Sequence, residues 1–327
     1  MYLQLQVFIF ILILLTNIRS TTGESWNYNN LGPDVWGDID SLCNGRSQSP
    51  INIQTACTNY QSFAPFSFQS GYNLTHNFTL HNNGHTIVGV YTGNNPMSLR
   101  LTGGGLNGTY EFLQFHLHWG ENYKSGSEHQ VNGMKYAGEI HFVHRNTETL
   151  KLAVLGFFME SIPNTSASHI IHKTTATDIY KINNSTAEEW QKYFAVSEYL
   201  RVINNATTVN LNLSSLMGNN VGNFWRYDGS LTTPPCTEDV TWTIFKTPII
   251  FSDININIFR HTISFENYRG PQLLYNRTVY RNFLHETILP ITDYFCCTGS
   301  MNNLANKHFL HAANKLILYT FILFTVF

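Results

Sequence analysis

Gln114-Phe-His-Leu-His-Trp119 alternates polar and apolar side chains with the two-residue period of a β-strand. Successive side chains on a strand point to opposite faces. Gln114, His116 and His118 therefore share one face, and Phe115, Leu117 and Trp119 pack on the other. Two imidazoles spaced in this way can grip a single metal ion. A third lies in Glu139-Ile-His-Phe-Val-His144, where Glu139 and His141 again share a face. Three neutral imidazoles with no fourth protein ligand suit a catalytic zinc, which keeps one tetrahedral position for water.

A lone histidine in an apolar strand is usually a hydrogen-bonded core residue. The neighbours of these histidines argue for more. Gln114 and Glu139 each stand two residues before a histidine, placed to accept its second ring N–H and so fix the tautomer that a metal needs. An unpaired glutamate in an apolar strand is costly, so Glu139 also requires a cationic or metal-polarised partner.

Further motifs surround this pair of strands. They are Arg46-Ser-Gln-Ser-Pro-Ile-Asn52, Asn82-Asn-Gly-His85, Gly126-Ser-Glu-His129, Leu152-Ala-Val-Leu-Gly156 and Ser230-Leu-Thr-Thr-Pro-Pro235. In this order, together with the histidine strands, they resemble the α-class carbonic anhydrases from about Trp26 to the 280s. The resemblance implies zinc as cofactor, held by His116, His118 and His141. It implies reversible hydration of carbon dioxide to bicarbonate and a proton by a hydroxide on the zinc. Val143, Val154, Leu231 and Trp242 would line the apolar wall for CO2. Thr232 would accept the hydroxide's proton and Glu128 that of the threonine, so that only a protonated ligand is admitted at the metal. His85 falls where fast members of the family carry a proton shuttle, a task suited to imidazole near neutral pH. Tyr28 and Asn83 match the residues that order the intervening waters, whereas Val88 departs from the asparagine or glutamine often found in that cavity. Cys43 and Cys236 match the disulfide pair of secreted and membrane-bound members.

The chain of 327 residues, 43% hydrophobic and 14% aromatic, can bury a large core, and no linker-like break interrupts it between Trp26 and about Phe295. Short apolar runs at Asn77–Leu80, Ile87–Tyr91, Tyr110–His118, Glu139–His144, Leu152–Met159 and Val240–Phe245 read as strands. Thr186-Ala-Glu-Glu189 reads as a capping box opening a helix toward Phe194, and Ser252 as the cap of another through His261. The expected fold is mainly β, a single domain over 24–295 with short peripheral helices. The resemblance sharpens this to a large, mostly antiparallel twisted sheet with the metal at its centre. A net charge of −2 implies no nucleic acid partner.

The two ends carry a different message. Residues 1–20, with the apolar run Val7-Phe-Ile-Phe-Ile-Leu-Ile-Leu-Leu15, read as a secretory signal peptide that lacks the usual basic residue before its core. At 296–327, small residues Thr298-Gly-Ser300, a polar spacer and the apolar Leu316–Phe327 have the order of a GPI-attachment signal; the alternative is a buried terminal element. Nine Asn-x-Ser/Thr sequons, at Asn73, Asn77, Asn107, Asn164, Asn183, Asn184, Asn205, Asn212 and Asn276, agree with a glycosylated protein of an oxidising compartment. Cys57, Cys296 and Cys297 have no assigned partner. The expectation is a lipid-tethered enzyme at the extracellular face of the membrane. The competing readings are a catalytically silent relative serving as an adhesion or binding ectodomain, and a zinc hydrolase of esters.

Overall fold

The computed structural model describes residues 26–162, 184–218, 221–252, 255, 257, 260 and 266–284. The proposed signal peptide, the GPI signal, Cys296, Cys297, the sequons at Asn164 and Asn183, and most of the helix expected after Ser252 lie outside them. Eight longer strands carry the described chain: β1 (His76–Asn82), β2 (Ile87–Tyr91), β3 (Leu106–Trp119), β4 (Gly138–Asn146), β5 (Leu152–Ile162), β6 (Ala206–Leu211), β7 (Phe224–Ser230) and β8 (Glu238–Ser252). They form one sheet in the order β6-β1-β2-β3-β4-β5-β8-β7, extended by the short pairs Tyr280–Arg281 and Asn59–Tyr60. Most neighbours run antiparallel. β5 and β8 run parallel at the centre, which makes the sheet mixed. The protein is a mainly β single domain with few, short helices, as expected.

The strands outrun the apolar segments that announce them. β3 begins at Leu106 rather than Tyr110, and β4 ends at Asn146 rather than His144. The residues added to β4, Arg145 and Asn146, are polar: Arg145 lies opposite Glu111 of β3, and its Nη2 donates to Glu111 Oε1 at 2.8 Å. Cross-strand ion pairs of this kind keep a ladder going where apolar patterning has stopped.

Alternation along the strands sorts the core into two layers. In β5, Ala153, Leu155, Phe157 and Met159 join Phe78, Leu80, Phe115, Leu117 and Phe142 on one side, sealed by Trp190, Tyr193 and Phe194. Val154 and Phe158 face the other way, with Val143, Trp225 and Trp242. The metal-binding face belongs to this second layer.

Three α-helical segments are described: α1 (Trp36–Ile39), α2 (Asn184–Ser197) and α3 (Leu213–Met217). The expected capping box is corrected. α2 opens at Asn184, and the Glu189 carboxylate accepts the backbone N–H of Asn212 at 2.7 Å instead of closing back on its own helix. Asn212 in turn caps α3 by accepting from Ser215 N at 2.9 Å. Glu189 thus joins two helices where the sequence suggested a local cap.

Candidate active site

β3 and β4 pair in a register that sets His116 opposite His141 and His118 opposite Glu139. The three rings converge, with centroids 5.0 Å (His116–His118), 5.1 Å (His116–His141) and 4.6 Å (His118–His141) apart. Each ring spends one nitrogen outward. His116 Nδ1–H donates to Gln114 Oε1 at 2.9 Å, His118 Nδ1–H to the main-chain oxygen of Asn267 at 2.7 Å, and His141 Nε2–H to Glu139 Oε1 at 2.8 Å. These partners are acceptors, so the protons sit on the outward nitrogens. The lone pairs of His116 Nε2, His118 Nε2 and His141 Nδ1 are left facing inward.

That arrangement fits zinc. His116 Nε2 and His141 Nδ1 lie 3.3 Å apart, the spacing expected of two corners of a tetrahedron whose zinc–nitrogen bonds are about 2.0–2.1 Å. His118 Nε2 is buried and has no hydrogen-bond partner, a costly state that a metal relieves. Burial holds the His116 imidazole well below its ordinary pKa, reinforced by His118 and His141 and opposed by Glu139. Burial also lowers His118, against the pull of Glu128. His116 and His118 are therefore kept neutral, as ligands must be.

Around the trio, Glu128 Oε1 accepts from Arg269 N at 2.9 Å, while Oε2 is buried without a hydrogen-bond partner, 3.4 Å from His118 Nε2. Thr232 is buried in the loop between β7 and β8. No hydrogen bond joins Thr232 to Glu128 here, although Glu128 keeps an oxygen open to receive one. His85 lines a cavity of about 250 Å³ with Tyr28, Arg201, Glu266 and Asn267. Its ring stacks on Trp26 at 3.8 Å, and burial lowers its pKa from the ordinary 6.5. The Asn83 amide oxygen accepts the backbone N–H groups of His85 and Thr86, which shapes the turn carrying His85.

Residues 31–283 match the family model for eukaryotic-type carbonic anhydrases. The chain belongs to this family. It is 32% identical over 270 residues to a Caenorhabditis elegans protein provisionally named carbonic anhydrase 3, covering 78% of this chain and 96% of that one. It is also 32% identical over 274 residues to mouse carbonic anhydrase 1, covering 79% and 98%. The chemistry of carbonic anhydrases is zinc-dependent hydration of CO2, and the histidine trio is a donor set of the required kind.

The remaining carbonic anhydrase features group beside the metal face. Val154 pairs with Val143 on one side and with Trp242 on the other, and the Trp242 ring lies 4.8 Å from that of His141. Leu231 packs against the same cluster. The four residues expected to form an apolar wall are thus contiguous. Cys43 and Cys236 form the expected disulfide across 193 positions.

Other supporting residues escaped the sequence reading. His129 entered the sequence reading only as the last residue of a motif. It is fully buried and anchors the Glu139 carboxylate twice, through its backbone N–H to Oε2 at 2.8 Å and Nδ1–H to Oε1 at 2.7 Å. His129 Nε2 accepts from the Tyr227 hydroxyl at 2.6 Å, and Tyr227 accepts from Ser49 Oγ at 2.8 Å. Burial alone would raise the Glu139 pKa, but His129 and His141 hold it well below the carboxylate range. His129, Glu139 and His141 also cluster closely enough to suggest a second metal group. Their facing atoms are already spent on one another, so the cluster is a hydrogen-bond relay. Asn267 and Arg269 are the other additions. Both act through main-chain atoms on a segment with no strand or helix signature, which leaves no sequence signal to find them.

Proposed function

We propose that this chain catalyses the reversible hydration of CO2 to bicarbonate and a proton outside the cell, with His85 as proton shuttle. The observation carrying the reading is the inward set of three unprotonated imidazole nitrogens, one of them buried and partnerless. Zinc supplies a Lewis acid that makes water nucleophilic near neutral pH, an effect for which carbonic anhydrases are themselves the standard example. The protein does the rest. Val143, Val154, Leu231 and Trp242 offer a neutral, apolar substrate a dry resting place beside His141. Thr232 and the open Glu128 oxygen select a ligand that can donate a proton, which discriminates against other anions. His85, half-buried at the rim beside Tyr28, receives the proton and passes it to buffer. All three metal histidines persist and converge, which weighs against a silent ectodomain.

Placement outside the cell rests on the leader-like N-terminus, the sequons and the GPI-like C-terminus, and agrees with the Cys43–Cys236 disulfide. Stopped-flow CO2 hydration by the zinc-loaded protein tests the activity: wild type should be active and His116→Ala should lose both zinc and turnover. Full activity in that variant overturns the reading. A phospholipase specific for GPI should release the protein from expressing cells, and retention would remove the lipid tether from the proposal.

A further inference from the structure

A second cavity, of about 550 Å³, opens away from the histidine trio between the start of β3, the strand β7 and the segments around Gln61 and Thr278. Its wall holds Arg226, a residue only 6% exposed that forms no ion pair among the described residues. The guanidinium is fixed rather than loose. Nε and Nη2 donate to Thr243 Oγ1 at 3.2 and 2.8 Å, Nη2 also donates to the Gly104 oxygen at 2.7 Å, and the group sits 5.3 Å from the Phe63 and Phe224 rings. Nε and Nη2 are the two nitrogens that carry these bonds, and Arg226 lines the cavity with the rest of its guanidinium uncommitted. A buried guanidinium is costly, and burial accordingly lowers its pKa to about 10, against the opposing pull of Asp228 and Tyr110.

The rest of the wall is matched to such a group. Lys151 stands at the exposed rim, in a long and exposed pairing with Asp239 at 3.9 Å, Thr278 and Tyr280 supply hydroxyls, and Phe63 and Leu106 supply apolar surface. The acid on this wall, Asp228, is exposed, and its Oδ1 accepts from Thr241 Oγ1 at 3.2 Å. We propose that this cavity is a second binding site, for a small organic carboxylate with an apolar or aromatic body. The carboxylate would accept from Arg226 Nη1 and lie within the field of Lys151, and its body would pack on Phe63 and Leu106. A preorganised guanidinium recognises carboxylates with charge-assisted hydrogen bonds.

Benzoate is a suitable probe, with benzamide as its uncharged counterpart, titrated calorimetrically into the zinc-loaded protein while CO2 hydration is followed in parallel. The expected result is a class of benzoate sites distinct from the one that inhibits hydration, and no binding of benzamide to it. Arg226→Gln should abolish that class and leave the inhibitory affinity unchanged. Because replacing the buried Arg226 puts folding itself at risk, the exposed Lys151→Glu provides an independent arm and should weaken the class by about tenfold. The proposal is overturned if benzoate binds only as an inhibitor, if benzamide binds equally well, or if Lys151→Glu leaves the isotherm unchanged.

Discussion

At the scale of single residues, the catalytic claim turns on which nitrogen of each imidazole carries a proton. Gln114, Asn267 and Glu139 settle that by accepting from the outward nitrogens. As the proposed shuttle His85 works differently, because a shuttle changes protonation in every turnover. Burial lowers its pKa below 6.5, so it is neutral and ready to accept a proton across more of the neutral range. The limb of the hydration profile that reports the shuttle should therefore have its midpoint below pH 6.5. His85→Ala should slow kcat in weak buffer by at least about tenfold, leave kcat/KM nearly unchanged, and recover with added imidazole. Lack of rescue would remove His85 from proton transfer. The converging histidines were legible in the sequence because strand alternation puts Gln114, His116 and His118 on one face without help from the rest of the fold. Asn267 and Arg269 were not, because they contribute a carbonyl and an amide from positions 149 and 141 residues away from their partners.

At the scale of elements, the close approach of β4, β5 and β8 explains a glycine that the sequence shows but cannot interpret. A Cβ on Gly156 would stand 2.7 Å from Ile244 Cδ1, 3.3 Å from Glu139 Oε1 and 3.7 Å from the His141 ring. The first neighbour is the tip of a flexible side chain, and the second is the acceptor that holds His141. Gly156→Ala should therefore fold with a modest loss of about 1–3 kcal/mol and release zinc faster, by about tenfold or more in a chelator competition. An unchanged release rate would show that Glu139 absorbs the intrusion without moving His141. Six of the eight longer strands were readable from an apolar run at the middle; β6 and β7 were missed, because polar residues interrupt Ala206–Leu211 and Phe224–Ser230. Their ends were less so: Arg145, one residue past the apolar run of β4, stays in the strand through its pair with Glu111 on β3. The capping motif misled for a related reason: Glu189 had a better partner in Asn212, visible only once two helices had been packed together.

At the scale of the molecule, one covalent link and one arginine tie the N-terminal segment to the site. Cys43 joins Cys236, four residues beyond Thr232, and Arg269 donates through Nη2 to the Cys43 oxygen at 3.0 Å and through Nη1 to Gln48 Oε1 and the Ser49 oxygen. The same residue's backbone N–H holds Glu128. Replacing both cysteines by serine should lower stability by about 2–5 kcal/mol, read as a shift in the urea midpoint. A midpoint within error of the wild type would show that the non-covalent contacts suffice. The parallel pairing of β5 with β8 has a consequence for synthesis. The strands bearing His116, His118 and His141 leave the ribosome early and adjoin one another, whereas β8 must return across the chain to lie beside β5. Until it does, β5 presents an unpaired apolar edge, the kind of edge that recruits foreign strands. The nascent protein is thus prone to aggregate along the same strand that, once covered, carries Val154 of the proposed substrate wall.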